Sequence, residues 1–167
     1  PMDTRITDLP ALRLVGHARR VPLVHEGVNP AIAEHVSSIP VEETLRLKGL
    51  GDTEPSGVLA VSDDLDPDRA EGSELTYLHG VATTAGSDSL DSLDGLAGLD
   101  VIEVPAGTWA VFRTEGPHPA ALQQAWAATA TEWFPSQPRR LRPGPEIVAM
   151  TAYDAASGTA TCELWLP

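Results

Sequence analysis

A chain of 167 residues, 42% hydrophobic and 21% charged, is one domain's worth of sequence with enough apolar material for a sizeable core, which excludes a disordered chain. Its 11 Lys and Arg against 24 Asp and Glu give a formal net charge of −13, so phosphate backbones are repelled and no direct nucleic-acid partner is expected. A cationic ligand or a basic protein partner is compatible with that field, as is a merely soluble acidic surface.

In chain order, Arg5 to Leu9 and Leu12 to Val21 show the broken apolar alternation of half-buried strands, joined at Pro10-Ala11. Asn29 is a good N-cap, and Pro30 suits the first helical position, where its missing N–H costs nothing. Ser38, Pro40, Glu42 and Glu43 repeat that start signal and Lys48-Gly49 supplies a stop. This predicts a helix in two pieces between Pro30 and Lys48, with Val36, Val41 and Leu45 facing the core. Ser56 to Ser62 and Glu74 to Thr84 read as a hairpin around the acidic turn Asp63 to Asp68, whose spacing lacks the alternating ligands and central glycine of a calcium loop. The Ser, Gly and Asp content of residues 85–97 marks a linker. Val101 to Val104 and Thr108 to Thr114 then predict strands about Pro105-Ala106-Gly107. Pro119 to Trp133 predicts a helix with Leu122, Trp126, Ala130 and Trp133 on one stripe, and Pro145 to Tyr153 with Thr159 to Leu166 closes as a hairpin. The single cysteine, Cys162, excludes an intrachain disulfide. No apolar run approaches the roughly 18 residues that span a bilayer, so no membrane partner is expected and the expected location is cytoplasmic.

One phrase occurs twice. Glu26-Gly27-Val28-Asn29-Pro30-Ala31-Ile32 returns as Glu115-Gly116-Pro117-His118-Pro119-Ala120-Ala121, each after a strand that opens on Pro-Ala. The expectation is a duplicated β-β-α-β-β unit packed as one domain over residues 3–167, with halves at about 3–84 and 98–167 and a ligand pocket between them.

No GxGxxG, glycine-rich phosphate loop or GxSxG elbow is present, and the five histidines lack HxxxH or HExxH spacing, so neither a cofactor nor a metal is expected. Aromatic residues are the remaining chemical signal. Trp126 and Trp133 fall on the helical stripe and read as core. Trp165 shares a strand face with Glu163, an acid beside an indole, which either stacks a flat cationic ligand or, on a solvent face, leaves Glu163 a surface acid. Glu146 shares a face with Val148 and Met150; it is either a partly buried counter-ion or general base, or a surface acid near a turn. Tyr77 and His79, on one face in the first half, offer hydrogen-bonding groups to the same pocket, although His79 reads equally as an edge residue.

The stretch Val104-Pro105-Ala106-Gly107-Thr108-Trp109-Ala110-Val111-Phe112-Arg113-Thr114-Glu115-Gly116, with Gly144-Pro145-Glu146 and the terminal Glu163-Leu164-Trp165-Leu166-Pro167, resembles the GyrI-like family. These are gyrase-inhibitor-like small-molecule-binding domains, found also as effector-binding domains of AraC-type and MerR-type regulators. The resemblance implies an α+β fold of two pseudo-twofold-related βαββ units, an SHS2-like duplication with an antiparallel sheet, two main helices and a central pocket for bulky, often cationic or polycyclic compounds. For some stand-alone members it implies hydrolysis of reactive cyclopropane-containing natural products. The family's pocket aromatics fall on Trp165 and Trp109, whereas Val148 and Met150 stand where the family usually carries an acid and a tyrosine. Only Glu146 or Glu163 could replace that acid.

The expected protein is therefore a stand-alone domain, with no helix-turn-helix ahead of its first strand, that binds a hydrophobic or aromatic small molecule. Its expected ligand-binding set is Trp165, Trp109, Phe112, Tyr77, His79, Glu146, Val148, Met150 and Glu163. The alternatives are a hydrolase with Glu146 as the catalytic base, or an acidic module that binds a basic protein partner such as a gyrase.

Overall fold

The computed structural model describes residues 3–84, 98–138 and 140–167; the expected linker lies outside the described residues. The strands are β1 (Asp3–Leu9), β2 (Leu12–Pro22), β3 (Leu59–Asp63), β4 (Glu74–Thr83), β5 (Asp100–Val104), β6 (Gly107–Pro117), β7 (Glu146–Asp154) and β8 (Thr159–Leu166). All eight join one antiparallel sheet in the order β1-β6-β8-β7-β3-β4-β2-β5. The helices are α1 (Pro30–Ser37), α2 (Val41–Leu50) and α3 (Ala120–Ala128), the last running on through a π turn over Thr129–Trp133 and a short 3₁₀ turn. The fold class is α+β, and no described helix is long and apolar enough to cross a membrane.

Strands joined at Pro10-Ala11 do not pair with each other. Leu9 sits opposite Gly107 of β6, while Leu12 sits opposite Val104 of β5. The local chemistry explains this. A two-residue hairpin needs positive φ at its first central residue, and proline is locked near −65°. Pro10-Ala11 and Pro105-Ala106 therefore send successive strands to different partners, and β1 and β5 become the two sheet edges.

Opposed residues of an antiparallel ladder share a face, so the registers sort the core into two layers. On one face lie Leu14, Leu59, Val61, Leu78, Val104, Trp109, Val111, Ile147 and Trp165, with contributions from all eight strands and no helix in the cluster. A sheet buried on that side without a helical cover is coiled with this face inward. The other face carries the helices: Leu47 of α2 packs on Val15 and Val81, α1 covers Val21, Leu75 and Tyr77, and α3 with the π turn covers Phe112, Val148 and Leu164.

Two expected helix faces are corrected. Val41 and Leu45 are exposed, at 73% and 60%, and α2 buries Leu47 instead. Val41 and Leu45 make one i, i+4 pair and Leu47 with Leu50 another stripe, and periodicity alone cannot choose between them. Ala130 is exposed while Thr129 is buried, since the buried stripe runs Leu122, Ala125, Thr129 at i, i+3 and i+7 rather than through Ala130. At the other end of α3, the Gln123 side chain donates to Gly27 O and accepts from Gly27 N, both at 2.9 Å, and so ties α3 to the loop ahead of α1.

Gly16 and Gly80 face each other across β2 and β4 on the inward side. A Cβ on Gly16 would lie 2.1 Å from the His79 carbonyl oxygen, and one on Gly80 would lie 2.1 Å from that of Val15. Both contacts are with backbone, so neither can be relieved by a rotamer change. Gly16→Ala is expected to lower the unfolding free energy by about 2–3 kcal/mol, the scale of overpacking, in urea titrations. A variant as stable as the parent would show that the two strands are not held this close.

Candidate ligand-binding site

The nine residues expected to line one pocket are divided between the two faces of the sheet. Trp109, Trp165 and Glu163 point inward. Phe112, Tyr77, His79, Glu146, Val148 and Met150 lie on the helix side, so no single cavity holds the full set.

On the helix side the registers set out a continuous row across six strands: Phe112, Leu164, Val148, Ala60, His79 and His17. The next row runs Glu146, Ser62, Tyr77. Ala60 is the smallest side chain at the middle of the first row, and it touches both the cluster under α1 and the cluster under α3. It stays partly exposed although helices stand on either side. The centre of this face therefore has Ala60 at its midpoint, with His79 and Tyr77 on one flank and Val148 and Glu146 on the other, and we take this position as the candidate groove. Phe112 is fully buried beneath Trp133, ring centroids 5.0 Å apart and edge to face, and Met150 is exposed at the bulge in β7.

Glu146, 2% exposed, is the charged wall of the groove, and its charge is spent. Arg69, from the loop between β3 and β4, clasps it with both guanidinium nitrogens, one 3.0 Å from Oε1. Trp126 Nε1 of α3 donates to the same oxygen at 2.7 Å. Arg69 holds a left-handed φ of 53°, which a non-glycine residue keeps only when its surroundings demand it. Glu146 thus joins the β3–β4 loop, β7 and α3. Three donors on its two oxygens, two of them from one guanidinium, make this carboxylate half of a structural ion pair.

The histidines at the far end of the row form a cluster. His35 Nε2 donates to the His17 carbonyl at 2.8 Å, and His17 Nε2 donates to Glu43 Oε1 at 2.9 Å. His79 Nε2 is buried and finds no partner among the described residues. Burial, then the nearby His35 and His17, hold the His79 imidazole below its ordinary pKa, so it is neutral. Burial pushes the Tyr77 hydroxyl up to about 12. The groove is therefore apolar and uncharged, with two neutral hydrogen-bonding groups.

The inward trio is different. Trp109 and Trp165 are 1% and 0% exposed, and Trp109 Nε1 finds no acceptor among the described residues. Trp165 Nε1 donates to Glu163 Oε1 at 3.3 Å, so the acid and the indole do meet. Arg5 of β1 lies over the Trp165 ring, its Cζ 4.9 Å from the centroid, and its Nη2 is 3.6 Å from both Glu163 Oε2 and Glu54 Oε2. Glu54 lines a cavity of about 340 Å³ with Lys48, Asp52, Thr53, Val81 and Ala82.

Arg5, Glu54 and Arg69 are absent from the expected set. Alternation along β1 puts Arg5 on the face of buried Leu9, and an inward base on a strand is a signal that was available. Arg69 gives none, lying in a loop 77 residues from Glu146.

Compared with known proteins, residues 2–167 match the family described as the GyrI-like small molecule binding domain. Compared by sequence with the curated proteins, the chain has no match. Among solved structures it is similar to SAV2435 bound to tetraphenylphosphonium, with TM-score 0.69 and 21% identity over 99% of this chain and 93% of that one. It is similar also to a putative bacterial transcription regulation protein of Staphylococcus aureus MU50, with TM-score 0.64 and 19% identity over 100% and 98% of the two chains. The C-terminal domain of EcmrR gives TM-score 0.61 and 15% identity over 99% and 96%.

Two outcomes are expected. Arg69→Met leaves the Glu146 carboxylate buried with one donor, and should destabilise the fold by about 2–4 kcal/mol in denaturant titrations, the scale for breaking a buried pair. Restoring the parent's stability by adding Glu146→Leu would identify the uncompensated charge as the cause. The second outcome concerns pH. His79 and His118 titrate below the 6.5 of a free imidazole, so the folded chain binds fewer protons than the unfolded one. Their contribution is complete above that value and is lost as pH falls through the folded pKa values. The denaturation midpoint should drop between pH 7.5 and pH 5.5, and His79→Gln should show a smaller drop than the parent; equal drops would remove His79 from the account.

Proposed function

This chain belongs to the GyrI-like small molecule binding domain family, and on that premise we propose that it senses or sequesters a neutral, largely aromatic small molecule in the groove over Ala60. The observation that carries the reading is that row: a small residue between two flanks, at the middle of a face otherwise covered by helices, with the unpartnered His79 Nε2 beside it. A ligand that bonds His79 and stacks on the apolar wall would remove the cost of that buried unpaired group, about 1–3 kcal/mol. Glu146 is neutralised by Arg69 and the family's acid is replaced by Val148, so a cation entering the groove would meet no free counter-ion.

We also read residues 3–84 and 98–167 as copies of one unit. The repeated phrase supports this, as does the strand order, which runs β1-β6-β8-β7 from one edge and β5-β2-β4-β3 from the other. The dyad would pass between β3 and β7, beside Ala60 and Val148. The hydrolytic alternative would need Glu146 to be released from Arg69.

The test is a thermal-shift and tryptophan-fluorescence titration with neutral polycyclic aromatics and with tetraphenylphosphonium. Neutral ligands should raise the melting temperature, since a ligand at a hundred times its Kd stabilises the native state by about 2.7 kcal/mol. Ala60→Leu should fill the floor and weaken them at least tenfold while the protein stays folded. Val148→Glu should strengthen tetraphenylphosphonium binding relative to the neutral compounds. Binding that ignores Ala60→Leu would move the site out of the groove.

A further inference from the structure

We propose that α1 and α2 form one tethered arm that acid releases from the sheet, with His79 of β4, His17 of β2 and His35 of α1 as its latch. The argument starts from what the arm buries. The one fully buried residue of α1 is His35, while Ala31, Ile32 and Val36 are half-buried against Val21, Leu75 and Tyr77, and α2 fully buries Leu47 alone. A helix ordinarily seats by an apolar stripe, and α1 seats on an imidazole.

The latch joins three elements. His35 Nε2 donates to the His17 carbonyl at 2.8 Å, which ties α1 to β2, and His17 Nε2 donates to Glu43 Oε1 at 2.9 Å, which ties β2 to α2. His79 stands directly opposite His17 in the ladder of β2 and β4, so both rings leave the sheet on the helix side. Of the buried side-chain polar atoms that lack a partner among the described residues, three belong here: His35 Nδ1, Arg46 Nε and His79 Nε2. An imidazolium donates from both nitrogens, and the seated arm supplies no acceptor at His35 Nδ1 or His79 Nε2.

The charged and titratable groups around His79 are His17 from β2, His35 from α1, Glu43 and Arg46 from α2 and Tyr77 from its own strand. Arg19 and Glu34 pair loosely at 4.0 Å between β2 and α1, β3 presents Ala60 and Ser62, and Asp100 of β5 is held by Ala18 N. Glu43 is the carboxylate bonded within the cluster. His17, then Arg46, hold its carboxyl below the usual range against the effect of burial, so it is ionised in mild acid and already shared by two donors. Burial, with His35 and His17 beside it, makes His79 a poorer base when the arm is seated than when it is released. Seating is therefore strongest above the ordinary imidazole value of 6.5 and weakens as pH falls below it. Release is local, because Asn29 Nδ2 donates to Pro22 O at 2.7 Å at one end of the arm and Asp52 N to Ala82 O at 3.2 Å at the other.

The experiment is hydrogen exchange of the whole chain, read by mass spectrometry at pH 7.5, 6.5 and 5.5 and corrected for intrinsic exchange at each pH, with the amides of β8 as internal reference. One imidazole changes the opening equilibrium by up to about tenfold over this range. Protection of α1 and α2 is expected to fall about fivefold more than that of β8, within that bound. His79→Gln and His79→Leu, which remove the titrating ring in a polar and an apolar way, should each bring the difference below twofold. Glu43→Gln takes away the carboxylate that offsets added positive charge and should move the loss to higher pH. Protection lost by α1 and α2 only in step with β8, a folded His79 variant that loses it as the parent does, or a loss in Glu43→Gln at the parent's pH or lower would each overturn the proposal.

Discussion

An eight-stranded sheet that carries all its helices on one face has to bury the other face against itself, and most of this molecule follows from that constraint. Pro10-Ala11 and Pro105-Ala106 make it workable. By refusing the tight hairpin they send β1 to β6 and β5 to β2, so residues 3–84 do not complete their own sheet and neither do residues 98–167. The inward layer is then built from every strand and packed with fully buried side chains, among them Trp109, Trp165 and Leu14. Gly16 and Gly80 are the counterpart of that filling, since two strands that approach so closely have no room for a Cβ. A core of this kind leaves the outer face as the place where a small residue such as Ala60 can leave a space between packed helices.

Period two and capping chemistry made the elements legible: the strands, the break between α1 and α2 and the final hairpin all fall where alternation, Asn29-Pro30 and the Asp154 to Gly158 turn put them. What alternation leaves open is partner and phase. Two strands separated by two residues are often a hairpin, and it is the φ of proline that sends these to different partners. The α3 stripe takes Thr129 rather than Ala130, a choice between i+3 and i+4 that periodicity leaves open, and α2 offered two stripes of similar strength. The site was legible to the same depth. Alternation correctly joined Glu146 to Val148 and Glu163 to Trp165, but it cannot say which alternate set points inward, and so one imagined pocket became two loci on opposite faces. Arg69 and Glu54 were out of reach because their partners are set by tertiary folding alone.

The two acids beside indoles illustrate how far residue type underdetermines role. Glu146 and Glu163 each accept a hydrogen bond from a tryptophan, and each faces an arginine. Glu146 is almost wholly buried with a two-pronged arginine, an arrangement in which removing either partner strands a charge in a poor solvent. It is a strut. Glu163 keeps a quarter of its side chain in water and meets Arg5 at 3.6 Å, so its partner can be exchanged at little cost. Burial and geometry, not the Glu–Trp pairing, separate a fixed ion pair from an exchangeable one.

The same distinction bears on the net charge of −13. Read from composition, it argues for cations. Yet fields from exposed carboxylates fade within about 8–10 Å at physiological salt, and they govern the rate of approach more than the depth of binding. What a cation meets on arrival is local. At the groove it finds Glu146 already neutralised and Val148 in the acid's place, whereas beside β1 it finds two carboxylates sharing one arginine over an aromatic ring. An acidic chain can therefore draw cations to its surface while single side chains set what each position on it prefers.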